Sequence, residues 1–391
     1  MSAEFFIEQW EKACETKIID MPKLVRRAMH TIVGILLKDT TMNFNAQKID
    51  MRDSSTIFQT SGSGKKLIME IVEDMATRLK IKWARRSSIT SAGAVGTIRL
   101  DKDKKAVSIY GDLKNYDLIT CSEADSILFT KIDQHGNDLL TNLCESQDHG
   151  GIISKRLAIG SLDQYTSTTS LFFTTTVPFM FQKRWLKKGY IQRVSCEINI
   201  VPFPVYVKIR NNIFRNAGIK SSNGEPFREL AKILLEKKVP KSFTSTPAIN
   251  EKFLKYAQKL DEVLIKLKQT EVMEILKSFT IRRDQKMMVY ACHHAFLDER
   301  DTLEQADLKY AFDLALDSWR QKIDFIGVKR SLVKTCKDSI LGFVEEGEEW
   351  TVQQIIAKIP HFTKTNIRSQ LSRLVKEGVM ITMKRGSYKM R

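Results

Sequence analysis

The sequence predicts an α/β protein: a core built on a mostly parallel sheet, then an all-helical domain, then a small C-terminal module of helices and two strands. Three observations carry this reading. From about Ser54 to Pro204, short β-branched or aromatic runs alternate with helical segments, the pattern of a sheet wrapped by crossover helices. After Glu225-Pro226 the apolar spacing becomes helical over long stretches. Residues 330–391 read as three helices and two short strands turned at Arg385-Gly386, which is the winged-helix pattern.

Taken in order, the apolar residues from Phe5 to Leu37 fall at helical spacing and are interrupted at Asp20-Met21-Pro22, where proline can open a new helix. Two helices are expected, within an N-terminal segment (1–50) that packs on the core. The core (51–225) should place strands at Thr56 to Phe58, Leu118 to Cys121, Ser170 to Thr174 and Val194 to Ile200. A helical lid (226–325) is expected from Phe227 to Lys238, Ile249 to Ser278, Arg282 to Asp298 and Thr302 to Lys322, with Thr302 as the cap of the last helix. In the module at 330–391, Thr351 and Thr363 are placed to cap two successive helices. Ile367, Leu371 and Leu374 form an apolar stripe at i, i+4, i+7, leaving Lys364, Thr365, Arg368, Ser369 and Arg373 on the opposite face.

A hydrophobic fraction of 42% suits a chain that buries real cores, and Lys+Arg outnumber Asp+Glu by 63 to 46, a formal charge of +17. Such a field gathers polyanions, so nucleic acid is the first partner to expect. Six scattered cysteines without ligand spacing argue against a zinc site, and no metal-ligand cluster is expected. No apolar run is long enough to cross a bilayer, and the N-terminus is acidic rather than signal-like. The expectation is an intracellular protein, cytoplasmic or nucleoid-associated, or nuclear in a eukaryote, with no membrane partner.

Ser61-Gly62-Ser63-Gly64-Lys65-Lys66 follows the strand at Thr56 to Phe58 and opens a helix. A phosphate loop works in that setting, by aiming backbone N–H groups and a helix N-terminus at the phosphates while a lysine reaches the terminal ones. Two positions depart from Gly-x-x-x-x-Gly-Lys-[Ser/Thr]: Gln59 stands at the first glycine, and Lys66 replaces the hydroxyl that would hold Mg2+. Lys65 is the expected phosphate ligand. Asp117 to Asp125 then reads as an apolar strand ending in a carboxylate, Glu123, the group an ATPase uses to polarise the attacking water. Ser122 stands where an aspartate would help hold the metal. ATP and Mg2+ are the cofactors these motifs imply.

From Thr90 onward, the order of features resembles the minichromosome maintenance (MCM) branch of the AAA+ ATPases, a P-loop core with inserted hairpins, over roughly Ile57 to Trp319. Ile89 to Val95, followed by Gly96 to Tyr110, is similar to that family's helix-interrupting hairpin, with Asp101-Lys102-Asp103-Lys104-Lys105 as its tip. Ile152-Ile153-Ser154-Lys155-Arg156 is similar to the second hairpin, whose lysine points at DNA. Leu171 to Pro178 stands at the sensor strand, where a threonine, Thr175 or Thr176, would replace the usual asparagine. Gly189-Tyr190-Ile191-Gln192-Arg193 resembles the segment whose arginine reaches a neighbour's nucleotide, and Thr280-Ile281-Arg282-Arg283 resembles the second sensor. The resemblance implies an ATP-dependent DNA translocase or helicase acting in replication. It also implies a homo-oligomeric ring or a hetero-oligomer with related AAA+ subunits, with Glu123, Arg193, Arg282 and Thr175 as catalytic groups.

An AAA+ core, helical lid and winged helix in about this length also resembles the origin-recognition and helicase-loading ATPases. Gln59, Lys66 and Ser122 point to a third reading, an inactive AAA+ scaffold that grips DNA or partners. In the tail, residues 361–391 hold eight Lys/Arg against one acid, Glu377, a net charge of +7. DNA phosphates are expected on Lys364, Arg368, Arg373 and the wing-tip pair Lys384-Arg385, and on Lys104, Lys155 and Arg156 of the hairpins.

Overall fold

Proline at the start of a helix costs no hydrogen bond, and the chain uses it that way: α1 (Ala3–Glu15) is followed by α2 (Pro22–Leu36). A computed structural model describes residues 2–15, 18, 21–44, 47–60, 63–103, 105–124, 139–154, 156–157, 160–176, 189–199, 201, 203–215, 224–265, 280–332, 336, 340, 349–359, 363–376, 379–383 and 386–390. Met1–Phe325 form one compact unit and Ile326–Arg391 a second.

In the first unit, β1 (Thr41–Phe44) and β2 (Gln47–Asp50) form a hairpin, and β3 (Ser55–Gln59) leads into α3 (Lys65–Arg78) and β4 (Trp83–Arg85). Next come α4 (Ser91–Val95), β5 (Gly96–Leu100), β6 (Ala106–Tyr110), α5 (Asp112–Asn115), β7 (Leu118–Cys121) and α6 (Leu139–Glu145). Four two-residue strands follow: β8 (Ile152–Ile153), β9 (Arg156–Leu157), β10 (Gly160–Ser161) and β11 (Tyr165–Thr166). The core then closes with β12 (Ser170–Thr176), α7 (Tyr190–Arg193) and β13 (Ser195–Asn199). Beyond it lie α8 (Phe203–Arg215), α9 (Glu225–Glu236), β14 (Ser242–Phe243), α10 (Pro247–Ile265), α11 (Thr280–Leu297) and α12 (Gln305–Leu332).

The sheet has five strands, all parallel, in the order β13-β3-β12-β7-β4. Every residue of β3 and β7 is buried, as expected for strands covered on both faces. β13 lies at an edge, yet its outward backbone is occupied: Ser318 of α12 donates to Cys196 O at 3.2 Å, and Ile198 N donates to Gln321 at 3.3 Å. α12 begins at Gln305 rather than at Thr302, because Asp307 caps it by accepting from Glu304 N at 2.7 Å. Thr302 instead bridges Thr244, and Ala306 is exposed.

The β5–β6 hairpin is set between α4 and α5, and its base demands two glycines. At Gly96 (φ +123°) a Cβ would stand 2.4 Å from Ile109 O, and at Gly111 it would stand 2.5 Å from Ala94 O.

A buried polar chain ties α2 to α11 and α12. His293 Nε2 lies 2.6 Å from Met51 O, His30 Nδ1 2.9 Å from His293 Nδ1, and His30 Nε2 2.9 Å from the Tyr310 hydroxyl. A carbonyl only accepts, so His293 carries its proton on Nε2, His30 donates from Nδ1, and Tyr310 donates to His30. Burial pushes both imidazoles down, His293 to about 4. The unfolded chain protonates below about pH 6.5 and the folded one does not, so stability should fall as pH drops from there to about 4. For His293 alone the loss is roughly 3 kcal/mol across that window. Urea midpoints at about pH 7 and about pH 5 check this, and equal midpoints would contradict it.

The second unit holds β15 (Glu349–Thr351), α13 (Val352–Lys358), α14 (Lys364–Lys376), β16 (Met380–Thr382) and β17 (Ser387–Met390), with an antiparallel sheet ordered β15-β17-β16. Thr351 makes a full capping box with Gln354, and Thr363 accepts from Asn366 N at 3.2 Å. Ile367, Leu371 and Leu374 are buried with Ile355, Ile359 and Met380.

Candidate functional site

β3, β12 and β7 are neighbours, and their carboxyl ends bring three side chains together. Lys65, the first residue of α3, has Nζ 2.8 Å from Thr176 Oγ1 and 3.4 Å from Glu123 Oε1. Its side chain is 8% exposed, whereas that of Glu123 is 62% exposed. An ammonium buried at a helix N-terminus sits against the positive end of the helix dipole. Glu123 is the only carboxylate paired with it among the described residues.

The loop between β3 and α3 is shaped locally. Gly64 adopts φ +93°, a conformation that favours glycine, and caps α3 without a side-chain bond. Gln59, buried, donates from Nε2 to Ser63 O at 2.7 Å, and the Ser63 hydroxyl donates to Thr60 O, so the glutamine bridges the loop from within. Ser61 and Gly62 lie outside the described residues. Lys66 points away: it is 71% exposed and pairs with Glu70 at 3.7 Å.

Glu123 owes its direction to β12. The Thr174 hydroxyl donates to Ser122 O at 3.0 Å and Ala124 N donates to Thr174 O at 3.1 Å, which staples both sides of the glutamate. Strand residues alternate faces, so Thr174 and Thr176 share the face turned to this site and Thr175, buried, is on the other. The threonine at Lys65 is therefore Thr176, and not Thr175.

Arg193 and Arg282 are brought together, but not here. Arg193 lies just before β13, whose Ser195 pairs with Ser55, while Asn199 and Thr176 pair with Gln59. The arginines thus stand at the amino edge of the sheet and Lys65 at its carboxyl edge. Both grip Asp148: Arg193 Nη2 at 2.9 Å and Arg282 Nη2 at 2.8 Å. Sequence reasoning missed Asp148. Its signal was the turn Asp148-His149-Gly150-Gly151, where Gly150 has φ +68° and a Cβ on Gly151 would meet Glu145 O at 2.0 Å.

Of the expected DNA contacts, Lys104, Lys155, Lys384 and Arg385 lie outside the described residues, and Arg156 stands on β9. The hairpins that carry Lys104, Lys155 and Arg156 touch: Ser108 donates to Asp163 at 2.8 Å, and Tyr165 packs edge-on against Tyr110. Lys364, Arg368 and Arg373 are exposed on α14, whose buried residues are Ile367, Leu371 and Leu374. His294, Asp298 and Asp307 have ligand atoms within 4.8 Å of one another, but Arg300 already donates to both aspartates, filling the cation's place. The six cysteines are buried and unbridged. Among the described residues no helix is long and apolar enough to cross a membrane. Neither a protein-family model nor a curated protein sequence matches the chain.

Proposed function

We propose that this chain is a nucleotide-binding protein of the AAA+ type, resembling the MCM branch, that works on DNA as a ring or a related hetero-oligomer. The observation that carries this reading is the meeting of Lys65, Thr176 and Glu123 at the ends of three adjacent parallel strands, beside a helix N-terminus. A triphosphate would lie at that helix N-terminus, with Lys65 on its terminal phosphates and the first-turn N–H groups of α3 around them. Glu123 would then orient water, and Thr176 would hold Lys65 in line.

Where the arginines stand supports the assembly part of this reading. Arg193 and Arg282 cannot reach the Lys65 site of their own subunit, since the length of the sheet separates them. A head-to-tail contact would bring one subunit's arginines to the next subunit's phosphates, and such a heterologous contact closes into a ring when its rotation allows. The excess positive charge, the two touching hairpins and the basic face of α14 support DNA as the polymer gripped.

The residues present suit phosphate better than a metal ion. Lys66 turns away and Ser122 has no carboxylate, so Glu123 is the one anionic side chain at the site among the described residues, and Mg2+ would be held chiefly by the phosphates themselves. This favours a second reading, a scaffold that binds nucleotide and does not turn it over. ATP turnover with and without DNA separates the two. In the motor reading Glu123→Gln keeps nucleotide binding and loses ~100-fold or more of turnover. A parent without turnover, even on DNA, leaves the scaffold.

A further inference from the structure

A recess of about 40 Å3 lies where α2, α11 and α12 meet the amino end of β13. Four cationic side chains line it, Arg27, Arg282, Arg283 and Lys286, and none of the described residues of its lining is acidic. Each cation has its carboxylate outside that lining: Arg27 Nε pairs with Glu197 at 2.9 Å, Arg282 with Asp148 at 2.8 Å, Arg283 with Asp284 at 2.8 Å and Lys286 with Asp53 at 2.8 Å. The recess is therefore walled by one sign of charge.

Two donors are left over here. Arg27 uses Nε on Glu197 and Nη2 on Leu314 O at 3.2 Å, while its Nη1 and the indole Nε1 of Trp319 are buried with no hydrogen-bond partner among the described residues. Both side chains are almost wholly buried, and both residues line the recess. Neither atom can accept, so what belongs beside them is an acceptor. The hydroxyls of the wall already donate elsewhere: Ser195 to the Asp53 carboxylate, Tyr290 in turn to Ser195, and Ser318 to Cys196 O at 3.2 Å.

We propose that this recess is a chloride site. Its volume holds roughly three waters, which admits a small ion and excludes a nucleotide. A halide has the sign opposite to the walls, accepts from several donors at once and donates nothing, so it satisfies Arg27 Nη1 and Trp319 Nε1 together. A water in its place would turn its own protons toward cationic walls. Arg282 and Lys286 are partly exposed, which leaves the ion a way in. Held there, chloride ties α2, α11 and α12 to the edge of the sheet and stabilises the unit, whether or not a nucleotide binds at Lys65.

The test compares the full chain in sodium chloride and in sodium gluconate at equal ionic strength, so that screening is matched. With chloride tenfold above its dissociation constant, the melting temperature should stand roughly 2 °C higher than in gluconate. Chloride NMR reads the affinity: the protein should add line width, and bromide should titrate it away. Trp319→Phe removes the indole donor and keeps an aromatic ring, and should weaken chloride roughly tenfold, the loss of one hydrogen bond to a charged acceptor. Ala315→Val narrows the recess without touching a charge and should weaken chloride as well, and it decides the matter if Trp319→Phe no longer melts cooperatively. A parent that adds no line width and melts equally in both salts holds water only in the recess, which overturns the proposal. Parental chloride affinity in both variants would put the ion at another site and overturn it equally.

Discussion

Lys65→Ala is expected to reduce ATP affinity by ~100-fold or more without lowering the melting temperature. A lysine on the terminal phosphates makes charge-assisted hydrogen bonds, and losing them costs about 3 kcal/mol. Stability should move the other way. The Lys65 ammonium is buried at the N-terminus of α3 with, among the described residues, an exposed glutamate as its one charged partner, so alanine removes an unfavourable charge from a helix start. The opposite signs separate loss of a ligand site from loss of fold. Calorimetric titration with ATP, read beside a melt of the ligand-free protein, checks both. An alanine variant that binds as tightly as the parent removes the phosphate loop from the account.

What could be read from the sequence depended on how locally each feature is determined. β7, β12 and β13 were legible because buried parallel strands are continuous apolar or β-branched runs, and α14 was legible because three residues at i, i+4, i+7 suffice to fix a buried stripe. β4 was not: Trp83–Arg85 is three residues long, and only its pairing with Leu118 to Thr120 makes it a strand. β1 and β14 pair across some two hundred residues of chain, through Thr41↔Ser242 and Met42↔Phe243, with nothing local to announce it.

The site divides along the same line. Lys65 and Glu123 were visible because a phosphate loop and a strand-end carboxylate are local patterns. The choice between Thr175 and Thr176 depends on strand parity, and a single residue of register exchanges the two faces. That Arg193 and Arg282 share Asp148 could not be read from spacing, because α6, α7 and α11 supply the three residues' neighbourhoods from distant parts of the chain. The Thr302 hydroxyl alone suggests a cap, but Asp307 supplies it, because a carboxylate one turn inside can reach back to Glu304 N.

The second large effect is expected on α14, in DNA binding. Lys364, Arg368 and Arg373 are exposed, whereas Ile367, Leu371 and Leu374 are buried, and among the described residues none of the three exposed side chains has a bonding partner, so all three are available to phosphates. Each phosphate contact releases condensed counterions, which makes binding fall with salt in proportion to the number of contacts. Replacing all three by alanine should therefore weaken duplex DNA binding at every salt concentration and flatten the log–log salt slope by roughly 3 units. Sequence preference, if the parent has one, should weaken less than overall affinity, since phosphate contacts position and do not read bases. The folded core supplies the control: the buried stripe and the caps at Thr351 and Thr363 are untouched, so the melt of the variant should match the parent. A slope unchanged within about half a unit would mean that the exposed face of α14 does not meet DNA. A truncation ending near Gly327 that still binds as well as the full chain would say the same of the whole module, leaving that face to dock protein.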